Sequence, residues 1–329
     1  MTQPPVVLVT GGAGYVGSHA CLALHEAGFV PVVYDNLSNG HEAFVQWGPF
    51  ERGDILDRDR LDAVIARHRP TAVMHFAALI EVGESVLQPA RFYRNNVIGA
   101  LTLLEAAQAA GIDRVVFSST CATYGEPVRV PMDETHPQVP INPYGRTKLM
   151  IEQALGDLDR HAGLRSVSLR YFNAAGADPQ GRIGERHSPE THAIPLVIQA
   201  LLGQRPSFSV FGSDYDTADG TAVRDYVHVL DLADAHVRAI RYLQDGGATT
   251  AINLGTGTGT SVRELISAIE AVAGARLPVV EADRRAGDAP LLVANGTRAR
   301  EVLGWTPSRN LMEITRSALA WHRAELGRR

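Results

Sequence analysis

Residues 142–148 read NPYGRTK and place Tyr144 four positions before Lys148. On a helix that spacing puts both side chains on one face. A phenol with a pKa near 10 is a poor base at neutral pH, and lowering it by about 3 units takes roughly 4 kcal/mol. One ammonium about 5 Å away, at an effective dielectric of about 20, supplies roughly 3 kcal/mol. Lysine alone falls slightly short, and a second positive charge beside the phenol closes the gap. A Tyr-x-x-x-Lys pair also arises by chance, as an exposed aromatic beside a solvated lysine. Thr120, within SSTCATYG (118–125), offers a hydroxyl that can hydrogen-bond a substrate oxygen and relay a proton to Tyr144. Its alternative is a hydroxyl satisfied by nearby backbone.

A second stretch suggests where the extra charge comes from. TGGAGYVGS (10–18) has the spacing Gly11-x-x-Gly14-x-x-Gly17 between a strand-like run and a helix-like one. Such a turn lets the backbone approach a pyrophosphate, which then sits on free N–H groups at the helix start. Gly11, Gly14, Tyr15, Val16 and Gly17 are its candidate contacts. Without a ligand it is simply a tight turn. Asp35 comes 21 residues after Gly14, with Asn36 beside it. A carboxylate there accepts from ribose hydroxyls and repels a 2′-phosphate, so NAD is expected over NADP. The same carboxylate also suits a cap for the DNLSNG turn. In GDILD (53–57), Asp54 and Ile55 are candidate adenine contacts, and Asp54 equally suits a helix N-cap. An oxidised nicotinamide beside Tyr144 is the missing cation, which couples the base to the redox state of the cofactor.

These groups need a frame. VVLVT (6–10), VPVVYDN (30–36), TAVMHFAA (71–78) and DRVVFSST (113–120) read as strands. GSHACLALHEAG (17–28), RDRLDAVIARH (58–68) and GALTLLEAAQAAG (99–111) read as helices, the first closing on Gly28. Repeated strand–helix–strand units predict an α/β fold with a doubly wound parallel sheet of the Rossmann type. The second half is richer in Pro and Gly and repeats the strand–helix signal at 250–274. FGSDYDTADGTAVRDY (211–226) is polar and turn-rich, as a contact loop would be. The expected division is an NAD-binding domain over 1–172, with a return segment near 226–258, and a smaller α/β substrate domain over 173–329.

Bulk properties narrow the classes. A chain of 329 residues, 45% hydrophobic, can bury a large core. Net charge is -5 with mixed signs, so neither nucleic acid nor an anionic membrane is an expected partner. No apolar run approaches the ~20 residues of a membrane span, and the N-terminus does not read as a signal peptide. Cys21 and Cys121 are expected as free thiols of a cytoplasmic protein, without metal-ligand spacing. No metal is expected.

Hydroxyl, tyrosine and lysine behind a Gly-x-x-Gly-x-x-Gly turn resemble the extended short-chain dehydrogenase/reductase superfamily along the whole chain. TGGAGYVGSH, DNLSNG, GDILD, FAALIEVGESV, NNVIGALTLLEA, SSTCATYG, NPYGRTKLMIE, LRYFNAAGA, VRDYVHVLDLADAH, NLGTGTGTSV and RRAGD occur in that order. Together they resemble its UDP-glucose 4-epimerase family. The resemblance implies inversion at carbon 4 of a UDP-hexose through a transient 4-keto sugar, with bound NAD and no net redox change. Tyr144 would be the base, Lys148 its electrostatic partner and a donor to the nicotinamide ribose, and Thr120 the hydroxyl partner. Phe76, Ala77, Asn96, Ser118, Tyr171 and Phe172 would join the cofactor contacts. Asn173, Phe211, Arg224, Arg285 and Asp288 would hold the UDP-sugar, the arginines on its phosphates. His192 in HSPETHAIP would approach UDP, and a capping or loop histidine is an equal alternative. Leu292 would be a gate beside the sugar's 2-substituent, or simply pack under the domain. Relatives pair as homodimers through helices at 89–110 and 143–161.

Two positions depart from the family. Ile80 stands where relatives often carry lysine, and Thr120 where many carry serine. Rival activities remain in view. Another UDP-sugar epimerase would act on N-acetylhexosamines or pentoses. A nucleotide-sugar dehydratase needs an acidic pair where this chain has Thr120-Cys121-Ala122. A non-catalytic NAD-binding sensor would commonly lack the tyrosine or lysine.

Overall fold

The computed structural model describes residues 4–285 and 288–327. The first half alternates as its periodicity requires. Val6–Thr10 (β1) leads into Tyr15–Glu26 (α1), Val30–Asp35 (β2), Phe50–Arg52 (β3), Arg58–His68 (α2) and Ala72–His75 (β4). Helix α1 starts earlier than its apolar stripe suggests, because Gly14 is extended (φ -81°, ψ 179°) and serves as N-cap. Gly28, at φ +88°, turns the chain just past the Ala27 cap.

The stretch expected as one helix over 89–110 is broken. Val82–Leu87 (α3) and Pro89–Phe92 (α4) lead into a π-helical segment, Tyr93–Ile98, before Gly99–Ala109 (α5). A π segment widens the helix and changes which side chains point inward. Here it brings Asn96 fully into the interior.

Arg114–Thr120 (β5), Pro143–Ala162 (α6), Arg165–Tyr171 (β6) and Asn173–Ala175 (β7) follow. Next come Ala193–Leu201 (α7), Phe208–Phe211 (β8), Val223–Arg224 (β9), Tyr226–His228 (β10), Val229–Gln244 (α8) and Thr250–Leu254 (β11). Thr260–Ser261 (β12), Val262–Ala273 (α9), Val279–Ala282 (β13), Leu291–Leu292 (β14), Thr297–Leu303 (α10) and Leu311–Gly327 (α11) complete the described chain. Seven strands form one parallel sheet in the order β11-β6-β5-β4-β1-β2-β3. The order reverses between β1 and β4, which opens a crevice at the strands' C-terminal ends. The pairs β10-β7 and β13-β8 and the triplet β12-β9-β14 lie outside this sheet.

Both faces of the sheet are covered, so its strands are apolar without alternation. Ala20 and Leu24 of α1 and Leu232, Ala235 and Ile240 of α8 pack with Val7 and Val9 on one face. Leu61 and Val64 of α2, Leu103 of α5 and Ile151 and Leu155 of α6 pack with Leu8 and Val73 on the other. Each such aliphatic side chain contributes about 1.5–3 kcal/mol on burial.

Four histidines share this interior. Burial draws His75 down to about 3 and His19, His228 and His236 down to about 4. His19 and His236 each use Nδ1 on the carbonyl one turn earlier, at 2.7 Å, and leave Nε2 without a partner. The unfolded chain binds protons at these groups near pH 6.5 and the folded chain does not. Stability is therefore full above about pH 6.5 and falls as pH drops towards 4, by up to about 1.4 kcal/mol per pH unit for each group. We expect the Tm at about pH 5 to lie roughly 10 °C below that at about pH 7.5. A Tm unchanged across that window, read by circular dichroism, contradicts four neutral buried imidazoles.

Candidate active site

The glycine turn is built for close approach. Gly11 has φ +74°, and a Cβ there would lie 2.5 Å from Ala77 N. A Cβ on Gly17 would lie 2.2 Å from Gly11 O, so α1 could not seat against the turn. Ser18 N, bonded to Gly14 O at 3.0 Å, closes the first turn of α1. The amides before it, Tyr15, Val16 and Gly17, point off the helix end, as an anion site requires. Asp35 ends β2 below this turn. Its Oδ2 accepts from Ala13 N at 3.0 Å and its Oδ1 from Leu37 N at 2.8 Å. Burial raises its pKa, against those two bonds. Each oxygen keeps a lone pair for another donor, so turn capping and ribose binding are compatible. The turn, the helix start and the carboxylate fit a dinucleotide.

Tyr144 is set in place by a glycine. Asn142 caps α6, its Oδ1 accepting from Gly145 N at 2.8 Å. A Cβ on Gly145 would lie 2.4 Å from Ala122 O, so only glycine lets α6 begin against the segment after β5. Thr120 stands at the end of β5 beside this contact, and its Oγ1 accepts from Ala122 N at 3.1 Å. Lys148 donates Nζ to Ser118 O at 2.8 Å and lies 4.9 Å from the Phe117 ring centre and 5.9 Å from that of Tyr144. The Ser118 hydroxyl bonds that of Tyr171.

Burial dominates the electrostatics of the pair. Burial pushes the Tyr144 phenol well above its ordinary value, Tyr171 adds to the rise, and the Thr120 hydrogen bond opposes it. Burial also draws Lys148 down to about 7, opposed by Glu152. The protein alone therefore holds a protonated phenol beside an amine that is easily neutralised. The lysine does not overcome desolvation of the phenol. Beneath the pair, Glu152 accepts from Arg170 Nη2 at 2.5 Å and from Ser119 Oγ at 2.5 Å. Arg170 Nη1 donates to Tyr124 OH at 2.9 Å, and Tyr124 OH donates to Asn253 Oδ1 at 2.6 Å. Glu152 stands four residues after Lys148, a spacing that could have marked it.

A cavity of about 540 Å³ joins these parts. It runs from Gly11, Gly14, Tyr15, Val16 and Gly17 past Asp35, Asn36, Ile55, Phe76 and Ala77 to Ser118, Tyr144, Lys148 and Tyr171. It continues past Asn173 and His192 to Phe211, Arg224, Arg285 and Asp288. At that end Arg285 stacks 3.8 Å over the Phe211 ring, and Arg224 is held by Ala289 O at 2.8 Å. Asp288 lies 3.5 Å from Arg224 Nη2. Ile80 also lines the wall. Cys21 and Cys121 are free.

Five candidates sit behind the wall rather than on it. Thr120 is 7% exposed, and its Oγ1 accepts from Ala122 N at 3.1 Å, the backbone partner that was its alternative. Asp54 is held by Asn36 Nδ2 at 2.9 Å and Leu56 N at 2.9 Å; it is not a helix cap, since Asp57 caps α2. Phe172 packs with Tyr124, Met132 and Ala294, and Leu292 packs against the same cluster, because β14 pairs with β9 there. That is the packing alternative for Leu292, which stays partly exposed. Asn96 accepts from Leu79 N at 2.8 Å and donates to Leu79 O at 3.0 Å and Thr147 Oγ1 at 3.1 Å. Its side chain positions the wall segment through these bonds.

His192 occupies the N-cap position of α7 but bonds no amide there. It belongs to a group at the cavity rim with Glu185, His187 and Glu190, which sequence reasoning missed. Burial disfavours charging, yet the two carboxylates raise His187 to about 9 and His192 to about 10.

Residues 7–255 match the model of the NAD dependent epimerase/dehydratase family. The chain belongs to that family. It is 67% identical over 316 residues to a UDP-glucose 4-epimerase of Rhizobium leguminosarum bv. trifolii, covering 96% of this chain and 97% of the relative. The crystal structure of UDP-glucose 4-epimerase from Brucella ovis in complex with NAD superposes with a TM-score of 0.94 at 51% identity, over 96% of this chain and 98% of that one. The Bifidobacterium longum enzyme, in complex with NAD+ and UDP, gives 0.93 at 36% identity, over 98% and 99%.

Asn96→Ala tests the positioning role. It leaves the buried Leu79 amide without its partner, which costs about 1–3 kcal/mol. We expect a lower Tm together with weaker dinucleotide retention, because Ala77, Leu79 and Ile80 lose their anchor. Weaker retention at unchanged Tm would instead place Asn96 in direct contact with the ligand.

Proposed function

We propose that this chain is an NAD-dependent epimerase that inverts carbon 4 of a UDP-hexose and interconverts UDP-glucose and UDP-galactose, as in galactose metabolism. The observation that carries it is one continuous cavity with a dinucleotide turn at one end, a paired arginine end opposite, and Tyr144 and Lys148 between. NAD, held between the Gly11–Gly17 turn, Asp35 and Lys148, would supply a reversible hydride acceptor for carbon 4, so that the sugar passes through a 4-keto form and hydride can return to its opposite face. Tyr144 takes the 4-hydroxyl proton and gives it back, with Thr120 supporting the phenolic oxygen. Lys148 holds Ser118 O and keeps a mobile proton beside the phenol. Arg224 and Arg285 fit the diphosphate, and their guanidinium forks anchor UDP while the hexose turns. Asp35 accepts from the adenosine ribose. A homodimer in the cytoplasm completes the proposal; exposed Ile98, Leu101 and Met150, at or beside α5 and α6, support pairing there. No helix among the described residues is long and apolar enough to cross a membrane.

Tyr144→Phe removes only the proton carrier. We expect turnover of UDP-galactose to fall at least about 100-fold with dinucleotide retained. Turnover within tenfold of the parent excludes the phenol as base.

Denaturing the purified protein should release NAD. Asp35→Ser should shrink the preference for NAD over NADP by at least about tenfold, since a buried carboxylate facing a phosphate costs several kcal/mol. Release of NADP from the parent protein sinks this assignment.

A further inference from the structure

The segment between β7 and α7 carries Glu185, His187, Glu190 and His192. One ligand atom from each lies within 4.8 Å of all the others. His192 Nδ1 is 3.0 Å from Glu185 Oε1 and 3.0 Å from Glu190 Oε1. His187 Nδ1 is 3.4 Å from Glu185 Oε1 and 3.7 Å from Glu190 Oε2. A tetrahedral ion with bonds of about 2.0–2.1 Å has ligand-to-ligand edges of roughly 3.3 Å. The His192 separations fall just below that edge and the His187 ones just above it, with Glu190 meeting the two rings through different oxygens.

The donor chemistry narrows the ion. Two imidazoles with two carboxylates suit a divalent transition metal, whereas magnesium and calcium favour all-oxygen shells. His187 Nδ1 is enclosed and has no hydrogen-bond partner. The Glu190 carboxylate and the Glu185 backbone are held in advance. Glu190 Oε1 accepts from Thr191 N at 2.8 Å and His192 N at 2.9 Å, and the Glu185 carbonyl accepts from Trp321 Nε1 at 2.9 Å. Supports of this kind orient first ligands in metal sites. The His187 ring also meets the Tyr15 ring edge-on at 6.3 Å, which links the group to the start of α1.

We propose that Glu185, His187, Glu190 and His192 bind one divalent transition-metal ion of the zinc class, which clamps the segment before α7 at the cavity rim. The ion replaces the imidazole protons that otherwise pair these histidines with the carboxylates.

The test uses the intact protein with its bound nucleotide, stripped of metal by chelator and titrated with Co2+ alone. The expected result is a visible absorption spectrum of tetrahedral Co2+ that saturates at one ion per chain and is displaced by Zn2+. The double variant His187→Ala, His192→Ala should abolish it. Glu190→Gln, a milder change, should weaken binding by more than about 100-fold, beyond the loss expected for an outer partner. Zn2+ should raise the Tm of the parent chain and leave that of Glu190→Gln unmoved. No tetrahedral spectrum in the parent, or one that survives in Glu190→Gln, overturns the proposal and leaves the four groups as an ion-paired cluster.

Discussion

Desolvation of Tyr144 and Lys148 is the constraint on which the rest of the site depends. Both groups are taken out of water, and in both burial outweighs every neighbour in moving the pKa. A buried phenol beside a buried amine is a poor base by itself. It becomes one when a further positive charge enters the same dry space, since attraction between charges there is much stronger than in water. That arrangement requires walls that exclude water and a cofactor seat beside them.

The walls are costly in polar groups, and the fold satisfies them in layers. Lys148 donates a hydrogen bond to Ser118 O, the Ser118 hydroxyl bonds that of Tyr171, and Glu152 below gathers Arg170 and Ser119. Breaking a buried ion pair by removing one partner commonly costs about 3–5 kcal/mol. Such a network holds the strand end after β5 and the start of α6 in one geometry. Gly145 against Ala122 O sets the same contact from the backbone side.

The remaining pieces act at the edges of the cavity. The π segment at Tyr93–Ile98 turns Asn96 inward to anchor Leu79, and through it the wall that includes Ile80. At the opposite rim, the Glu185–His192 segment brings two imidazoles and two carboxylates to the place where α7 begins. Both devices lie between the two binding ends and fix segments that lack strands of their own.

The sequence by itself determined the elements whose signal is local. Strand β1, helix α2 and the glycine turn stand where apolar period and glycine spacing put them, because burial on both sheet faces and tight backbone approach leave no other pattern. Tyr144 and Lys148 were legible for the same reason: four residues is one helical face. The tertiary structure decided what depends on contacts between distant segments. Asn96 anchors the Leu79 segment because a π turn brings it into the interior. Leu292 went into the Phe172 cluster because its short strand paired with β9. The His187 and Glu185 partners of His192 were written a few residues away, but only the fold of a loop without periodicity brought their ligand atoms together. The pKa values also escaped the sequence, since desolvation depends on the whole surrounding core rather than on spacing along the chain.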